Sequence, residues 1–426
     1  GGALWRYDPV VRQVFRRKGI KEIMKIIMAY LENFSGLSGG LEKILCEFSN
    51  EMEQRGHEVS IVTYDERTGK PFYLLKEDIH IFNIRQYAYD NLGIRNHDRS
   101  MFFKIQRESI RILGKNIYRQ WKADYKSRFI SDILNEYIQT ISPDIVISYN
   151  QSTTYELDKI GVKCPIISMF HNDPDILLQK MTKKEKRAIQ NSEVIQVLTE
   201  DFKIKLQKYF LNSNIVCIPN VIIPSSNTAD LSKEKKQYKI IDVARINKEQ
   251  KRQHLLIEAF AKLAKNNPQW ILEFWGDTGN ANYMNQLRNR VSYHDLENRI
   301  FFKGTTKDIQ SVYLNADLFC FPSKYEGFGL SLGEALSAGL PAIAFKSCSA
   351  VKDLINNGLN GILVDDGIDH LADALQELML SREKRIKMGY HAHLSMEKYE
   401  PHNIWDRWNH LVINIFNEFK NRGQET

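Results

Sequence analysis

From Met24 onward, short Ile- and Val-rich apolar runs alternate with longer amphipathic stretches, and this alternation constrains the fold more than any other feature. Strands that are buried on both faces of a parallel sheet appear in a sequence as continuous apolar segments of this kind. The runs form two series: KIIMAYL, EVSIVTY, DIVISYN, CPIISMF, EVIQVLT and NIVCIPN, then YKIIDVA, WILEFWG, RIFFKG, LFCFPS and LPAIAF. We therefore expect an α/β fold with two doubly wound parallel sheets.

A polar segment, VIIPSSNTADLSKEKKQ, separates the two series and has the composition of a linker. The chain of 426 residues also exceeds the length of about 250–300 residues at which one apolar core usually splits. We predict an N-terminal extension at 1–21, a first domain at 22–220, a linker at 221–236, a second domain at 237–400 and a C-terminal segment at 401–426. The last of these has the pattern of an amphipathic helix that packs back on the first domain.

Cysteine usage and hydropathy give the expected compartment. The five cysteines are scattered singly, without the spacing of a disulfide framework, a zinc site or a redox motif. The longest apolar run is far shorter than the roughly 20 residues that span a bilayer. We therefore expect a cytoplasmic protein, and we regard residues 1–21 as either an added tag or a membrane-contacting segment.

Most of the net charge of +7 lies in the first half of the chain, where residues 1–220 hold 33 basic and 27 acidic residues. Nine basic residues fall between positions 99 and 128, interleaved with aromatic and aliphatic ones. This pattern predicts a basic amphipathic helix near 99–128 that contacts an anionic membrane surface, with candidate contacts at Arg107, Arg111, Lys115 and Trp121. A solvated helix packed on its own domain is an equally open interpretation. No nucleic-acid-binding signature accompanies the patch, so we expect no nucleic acid partner.

Two glutamates frame a glycine-rich turn that follows the predicted strand LFCFPS, in the segment YEGFGLSLGEA. Glu326 lies in the turn, and Glu334 lies about one turn into the helix that follows. Carboxylates accept hydrogen bonds from sugar hydroxyls, and the amides of Gly329 and Leu330 open a helix whose positive end suits a diphosphate. From the residues alone, two surface glutamates around a turn remain the alternative.

A second glycine-rich turn, SGLSGG at positions 35–40, follows the first predicted strand and leads into a helix. It offers free backbone amides, but it is neither a dinucleotide fingerprint nor a P-loop. From the residues alone, a tight strand-to-helix turn is the favoured interpretation.

The segment EGFGLSLGEALSAGLPAIAF resembles the donor-site signature of retaining GT-B glycosyltransferases, specifically glycosyltransferase family 4 of the bacterial surface-polysaccharide and lipopolysaccharide type. DVARINKEQKRQHLLIEAF resembles the arginine-to-lysine segment of that family, and FWGDTG resembles its strand-then-turn segment. SGGLEKIL resembles its N-terminal glycine loop, and PIISMFHNDPD resembles its histidine segment. The resemblance covers roughly residues 22–415. It implies two Rossmann-like domains that face a deep interdomain cleft.

The resemblance also implies roles for individual residues. Arg245 and Lys251 would neutralise the diphosphate of a nucleotide-sugar, with Lys248 as the substitute for Lys251, because the spacing is one residue longer than usual and Arg252 replaces a frequent glycine. Glu334 would bind the ribose and Glu326 the transferred sugar, with His171 beside that sugar. The donor-binding set would be completed by Gly39, Gly40, Gly276, Gly327, Phe328, Gly329 and Leu330. No metal and no cofactor is expected.

The implied reaction is a retaining transfer from a UDP-linked sugar to a glycan acceptor, lipid-linked or of lipopolysaccharide type, at the inner face of the cytoplasmic membrane. A non-catalytic GT-B subunit that binds glycan or a partner transferase is the alternative from another class. A phosphorylase or an epimerase on the same fold is a further alternative, although the chain is short for a phosphorylase. Asp173 and Asp175 have the carboxylate spacing of a metal motif, but they follow a strand in the wrong fold for that role.

Overall fold

The computed structural model describes residues 23–92, 101–279 and 281–423, without several side chains between positions 115 and 129. The predicted extension at 1–21 therefore lies outside the described residues. The first sheet has the order β3-β2-β1-β4-β5-β6-β7 and the second β10-β9-β8-β11-β12-β13, with all pairs parallel. The strands are β1 Lys25–Tyr30, β2 Glu58–Thr63, β3 His80–Asn83, β4 Ile145–Ser148, β5 Ile166–Phe170, β6 Val194–Val197, β7 Ile215–Cys217, β8 Tyr238–Val243, β9 Trp270–Trp275, β10 Ile300–Gly304, β11 Leu318–Phe321, β12 Ala342–Phe345 and β13 Gly361–Val364.

Helices connect the strands and cover both faces of each sheet. The α-helices are α1 Gly40–Gln54, α2 Ile84–Asn91, α3 Met101–Ile112, α4 Lys115–Ile141, α5 Gln151–Lys159, α6 Pro174–Lys180, α7 Lys183–Gln190, α8 Glu200–Gln207, α9 Gln253–Ala264, α10 Ala281–Tyr293, α11 Ile309–Leu314, α12 Leu330–Ser337, α13 Ile368–Leu380, α14 Arg382–Ser395 and α15 Pro401–Arg422. Two short 3₁₀ helices lie at Ser349–Asp353 and Glu397–Tyr399. The predicted α/β fold with two doubly wound domains is confirmed.

The central strand β1 shows why the apolar runs become strands. Its side chains alternate between two buried layers, with Ile26 and Met28 on one face and Ile27 and Ala29 on the other. Each of the four is at most 1% exposed. A strand with both faces covered needs apolar residues at every position, and this explains the unbroken run in the sequence.

The two domains share an apolar core. Phe170 and Phe202 of the first domain belong to the same buried cluster as Ile241, Phe319 and Leu332 of the second. The chain crosses between the domains at two places, which lie side by side because the Ile222 amide donates to the Tyr399 carbonyl at 2.9 Å. The carboxyl ends of the two sheets consequently face each other at short range.

Helix α15 packs on the first domain. Its buried residues Ile404, Trp405, Trp408 and Val412 fall on one helical stripe and join the core beside β1. The ring of Phe48 lies 4.6 Å from that of Trp408, measured between centroids. Residues 401–422 therefore belong to the first domain, although the second domain precedes them in the sequence.

Three details differ from the sequence predictions. Strands β3 and β13 were not predicted, since their short apolar runs lie among polar residues, in KEDIHIFN and NGILVDDG. The prediction of a single basic helix near 99–128 was wrong, because Gly114 adopts a φ of 128° and separates α3 from α4. The helix predicted at 131–141 is the last part of α4.

Candidate functional site

Both sheets have a topological switch point, which is where ligands bind in open α/β folds. In the first sheet it lies between β1 and β4, and in the second between β8 and β11. The loop after β8 carries Arg245 and Lys251, and the loop after β11 carries Glu326. The topology therefore places these predicted site residues at the edge of the second sheet where a ligand is expected.

Glu326 is 8% exposed and is held by the neighbouring loop. Lys251 Nζ donates to Glu326 Oε1 at 2.5 Å, and Gln250 Nε2 lies 3.4 Å from Glu326 Oε2. Gln250 Oε1 in turn accepts from an Arg245 Nη at 3.0 Å. One short network thus joins Arg245, Lys251 and Glu326, with Lys248 exposed on the same loop.

Arg252 shapes this loop. It adopts the left-handed conformation, with φ of 52°, which costs an ordinary residue about 1–2 kcal/mol and favours glycine. Its guanidinium compensates by donating to the carbonyls of Pro322 and Ser323, at 3.0 and 3.2 Å, and to Asp366 at 3.1 Å. Arg252 therefore ties the β8 loop to the β11 loop.

Beneath the loop lies a buried carboxyl that sequence reasoning missed. Asp242, at the end of β8, is 1% exposed, and Gln253 Nε2 lies 3.4 Å from its Oδ2. Gln253 also donates to the Arg245 carbonyl at 3.1 Å. Burial raises the pKa of Asp242 to about 7, although the nearby Lys251 acts in the opposite direction.

Glu334 on α12 is contacted from both domains. Lys43 Nζ on α1 donates to Glu334 Oε1 at 2.7 Å, and the Tyr313 hydroxyl donates to Glu334 Oε2 at 3.1 Å. Neither Lys43 nor Tyr313 was predicted, because no spacing in the sequence connects either residue to the glutamate motif.

The glycine turn before α1 reaches the same place. Gly39 is the N-cap of α1 and has no side chain to cap it, so the first amides of that helix stay available. A Cβ on Gly40 would lie 3.3 Å from Leu330 Cδ1. Gly329, with φ of 87°, begins α12 opposite, so two helix N-termini meet across the cleft.

His171 follows β5 and approaches the β11 loop. A Cβ on Gly327 would lie 1.9 Å from the His171 carbonyl oxygen, so only glycine fits at that position. The imidazole stacks on Tyr149 at 5.3 Å, and among the described residues its Nε2 is buried without a hydrogen-bond partner. Burial lowers the pKa of His171 to about 3, which keeps the ring neutral.

The Asp173 and Asp175 pair forms a different contact from the metal motif that its spacing resembles. Lys205 Nζ lies 3.2 Å from an Asp173 oxygen and 2.9 Å from an Asp175 oxygen. Ser349 Oγ, in the second domain, donates to Asp173 at 2.6 Å. In the described part of the chain, no group of three or more His, Cys, Asp or Glu side chains has the arrangement of a metal site.

Two other predicted donor residues, Gly276 and Phe328, contribute to the packing around the site. Gly276 has φ of 137°, and a Cβ there would lie 2.3 Å from the Ala244 carbonyl oxygen, so it lets the β9 loop approach the β8 loop. The Phe328 ring is 2% exposed and packs edge-on against Tyr399 in the shared core.

The candidate membrane contacts lie on the α3–α4 hairpin. Arg107 is partly exposed and Arg111 is exposed, and both lie near Glu108, at 2.9 and 3.6 Å. The half-buried Trp121 packs on Phe103, with ring centroids 5.6 Å apart. The side chain of Lys115 lies outside the described residues.

Comparison with known proteins agrees with this fold. The family models described as "Glycosyl transferases group 1" and "Glycosyltransferase Family 4" match residues 225–394 and 38–226. An "Uncharacterized glycosyltransferase" of Haemophilus influenzae is 24% identical over 91% of this chain and 100% of its own length.

Two further proteins match over nearly their whole length. A Campylobacter jejuni protein named "GalNAc-alpha-(1->4)-GalNAc-alpha-(1->3)-diNAcBac-PP-undecaprenol alpha-1,4-N-acetyl-D-galactosaminyltransferase" is 23% identical over 89% of this chain and 96% of its own. The structure of a TarM variant from S. aureus, in complex with fondaparinux, alpha-GlcNAc-glycerol and UDP, has a TM-score of 0.71 with 17% identity over 93% of this chain and 100% of that one.

The fold and the two family models identify a two-domain glycosyltransferase. The chain belongs to the GT-B glycosyltransferases of the family 4 type, as both family models and the named relatives show.

The buried Asp242 predicts an unusual dependence of stability on pH. Its pKa of about 7 lies above the ordinary value of 3.8, so between these pH values the folded state binds more protons than the unfolded state. The contribution of this group to the free energy of unfolding therefore falls as pH rises through that window. We expect Asp242→Asn to match wild type near pH 4 and to melt at least about 2–4 °C higher at pH 8, the shift that 1 kcal/mol produces.

Thermal melting followed by circular dichroism between pH 4 and pH 8 measures this difference. The matched control is Glu383→Gln, which changes an exposed carboxylate in the same domain. Its difference in melting temperature from wild type should not change between pH 4 and pH 8. A wild-type-minus-variant difference that is constant with pH would show that Asp242 titrates normally.

Proposed function

We propose that this enzyme transfers a sugar, with retention and without a metal ion, from a UDP-sugar to a lipid-linked or lipopolysaccharide-type glycan acceptor in bacterial surface polysaccharide synthesis. The observation that carries the proposal is the set of four charged residues at the facing switch points. All four lie at the carboxyl edge of the second sheet, opposite the glycine turn of the first: Arg245, Lys251, Glu326 and Glu334.

The cations and helix amides would stabilise the negative charge of the leaving diphosphate. Negative charge grows on the diphosphate as its bond to the sugar breaks, and fixed positive groups stabilise that charge. Arg245 is exposed at the cleft, and α12 directs its first amides toward the same space. In the proposed retaining mechanism, the acceptor attacks on the face that the diphosphate leaves, and a phosphate oxygen takes the acceptor's proton.

The two glutamates account for recognition of the donor. Glu334 would accept hydrogen bonds from the ribose hydroxyls, and Glu326 from hydroxyls of the transferred sugar. Lys251 already pairs with Glu326, so this lysine would contact the carboxylate and the diphosphate together. His171 is neutral, and its Nε2, which has no hydrogen-bond partner in the part of the chain that the structure describes, would face the sugar as a hydrogen-bonding group without acting as a cation.

The ligands and names of similar proteins support the donor and the acceptor. The TarM variant was crystallised in complex with UDP, and the C. jejuni relative is named for an acceptor that is linked to undecaprenol through a diphosphate. A chain that acts on such an acceptor works at a membrane surface. In the described residues, no helix is both long and apolar enough to cross a bilayer.

The α3–α4 hairpin supplies a surface that suits peripheral contact. Exposed apolar side chains cluster there, with exposed fractions from 53% to 85%: Met101, Phe102, Ile105, Ile112, Leu113 and Ile117. At 3.6 residues per turn, Met101, Ile105 and Ile112 lie within about 40° of one another on α3. Arg107 and Arg111 lie about 120° and 80° from Met101, on the side of α3 away from Phe102, so the helix has separate apolar and basic faces, as in helices that lie in the interface of an anionic bilayer.

A donor screen in EDTA tests the proposed reaction. UDP-, GDP- and ADP-sugars are offered to wild type, to Glu326→Gln and to the exposed control Glu377→Gln, and binding and hydrolysis are measured. We expect UDP-sugar binding by all three proteins, and hydrolysis about 10²-fold slower in Glu326→Gln alone, the cost of losing one polar contact to the reacting sugar. Hydrolysis that stops in EDTA would contradict the metal-independent mechanism, and the absence of any nucleotide binding would favour the non-catalytic alternative.

Flotation with vesicles containing phosphatidylglycerol tests the membrane contact. We expect Arg107→Glu with Arg111→Glu to reduce the bound fraction on the order of tenfold at low salt, since each basic residue near an anionic surface contributes about 1 kcal/mol. The control pair Arg382→Glu with Lys387→Glu reverses two exposed charges on α14 and should bind as wild type does. Equal flotation of all three proteins would remove the basis for this contact.

A further inference from the structure

Lys43 and Glu334 form an ion pair between the two domains. Lys43 lies on α1, next to the glycine turn of the first domain, and Glu334 lies on α12 of the second, 291 residues away. Their side chains are 24% and 23% exposed, and Nζ and Oε1 are 2.7 Å apart. A partly buried pair at this distance is shielded from water more than the exposed ion pairs on the surface, which contribute little.

The Glu334 carboxylate is held at its other oxygen as well. The Tyr313 hydroxyl is fully buried beneath α12 and donates to Oε2 at 3.1 Å. With one donor on each oxygen, the carboxylate has a fixed orientation. Each oxygen can accept a further hydrogen bond, so two neighbouring hydroxyls of a ligand still find acceptors.

The surroundings keep Lys43 charged. Burial opposes its charge, but the carboxylates of Glu334 and Glu47 outweigh burial and raise the pKa of Lys43. Glu47 lies one turn further along α1, and burial raises its pKa, with Lys43 acting in the opposite direction. Tyr73 flanks the group and donates to the Ser38 carbonyl at 2.9 Å, which anchors the glycine turn. Lys43 is therefore a cation between two carboxylates near the N-terminus of α1.

We propose that Lys43 is a positioning residue for the nucleotide's ribose: it reaches across the cleft, orients the Glu334 carboxylate toward the ribose diol and links donor binding to contact between the domains. The inference rests on the proposed function, which places a nucleotide-sugar at Glu334. Lys43 touches the recognition carboxylate from the domain opposite to the one that binds the nucleotide. A donor bound by the second domain alone would consequently lack a correctly oriented ribose acceptor.

The test compares UDP with 2′-deoxy-UDP by titration calorimetry. We expect wild type to prefer UDP, because the 2′-hydroxyl bonds Glu334. Lys43→Met, which keeps the apolar stem, should weaken UDP binding about tenfold and bring the ratio of the two affinities toward one, a change within the range measured for residues that act as one network. Lys43→Arg should restore most of the preference, and the exposed control Lys384→Met should bind both nucleotides as wild type does.

A double-mutant cycle supplies the second readout. Glu334→Gln should reduce the preference for UDP, and adding Lys43→Met to it should cost less than the lysine change costs in wild type. Unchanged preference in Lys43→Met would overturn the positioning role, as would an equal loss of affinity for UDP and 2′-deoxy-UDP, which indicates only a structural contact. Failure of wild type to bind UDP would overturn the proposed function along with this inference, so the two failures are distinguishable.

Discussion

The contact between Gly327 and the His171 carbonyl sets the distance between the two domains, and the rest of the site depends on it. A Cβ at Gly327 would lie 1.9 Å from that oxygen, so the loop after β11 rests directly on the end of β5. An apolar core shared by both domains continues beneath this contact. On one side of it Ser349 donates to Asp173, and on another Lys43 pairs with Glu334. A backbone contact that admits no side chain is therefore surrounded by polar contacts between the domains.

Each glutamate of the motif is paired with a lysine, but the two lysines come from different domains. Lys251 and Glu326 belong to the second domain, whereas Lys43 belongs to the first. The carboxylates are therefore oriented by cations before any ligand arrives, which lowers the cost of ordering them on binding. Because one orientation depends on the opposite domain, the proposed recognition of the donor would be coupled to the apposition of the domains.

Much of the fold follows from the sequence, because strands buried on both faces must be apolar throughout. The central strands were predicted for that reason. The short apolar runs of β3 and β13 lie among polar residues, in KEDIHIFN and NGILVDDG, and so they resemble loops in the sequence. Gly114 divides a helix that looked continuous, since one glycine does not by itself reveal its φ.

The residues of the candidate site were likewise predicted only in part. The motif YEGFGLSLGEA follows a strand and pointed to Glu326 and Glu334 by its spacing as well as by its resemblance. Arg245 lies in the loop after β8 and was predicted from the resemblance alone. Lys43, Tyr313 and Asp242 were missed because their roles depend on contacts between segments far apart in the chain or on burial beneath a loop. Such contacts leave no local pattern in a single sequence.

A crystal structure of the protein with UDP tests the central claim, that the facing switch points form one nucleotide-sugar site. The account predicts density for the ribose against Glu334, with Lys43 still in contact with that carboxylate, and for the diphosphate between Arg245 and the start of α12. UDP bound elsewhere, or bound with Glu334 turned away from the ribose, would contradict it.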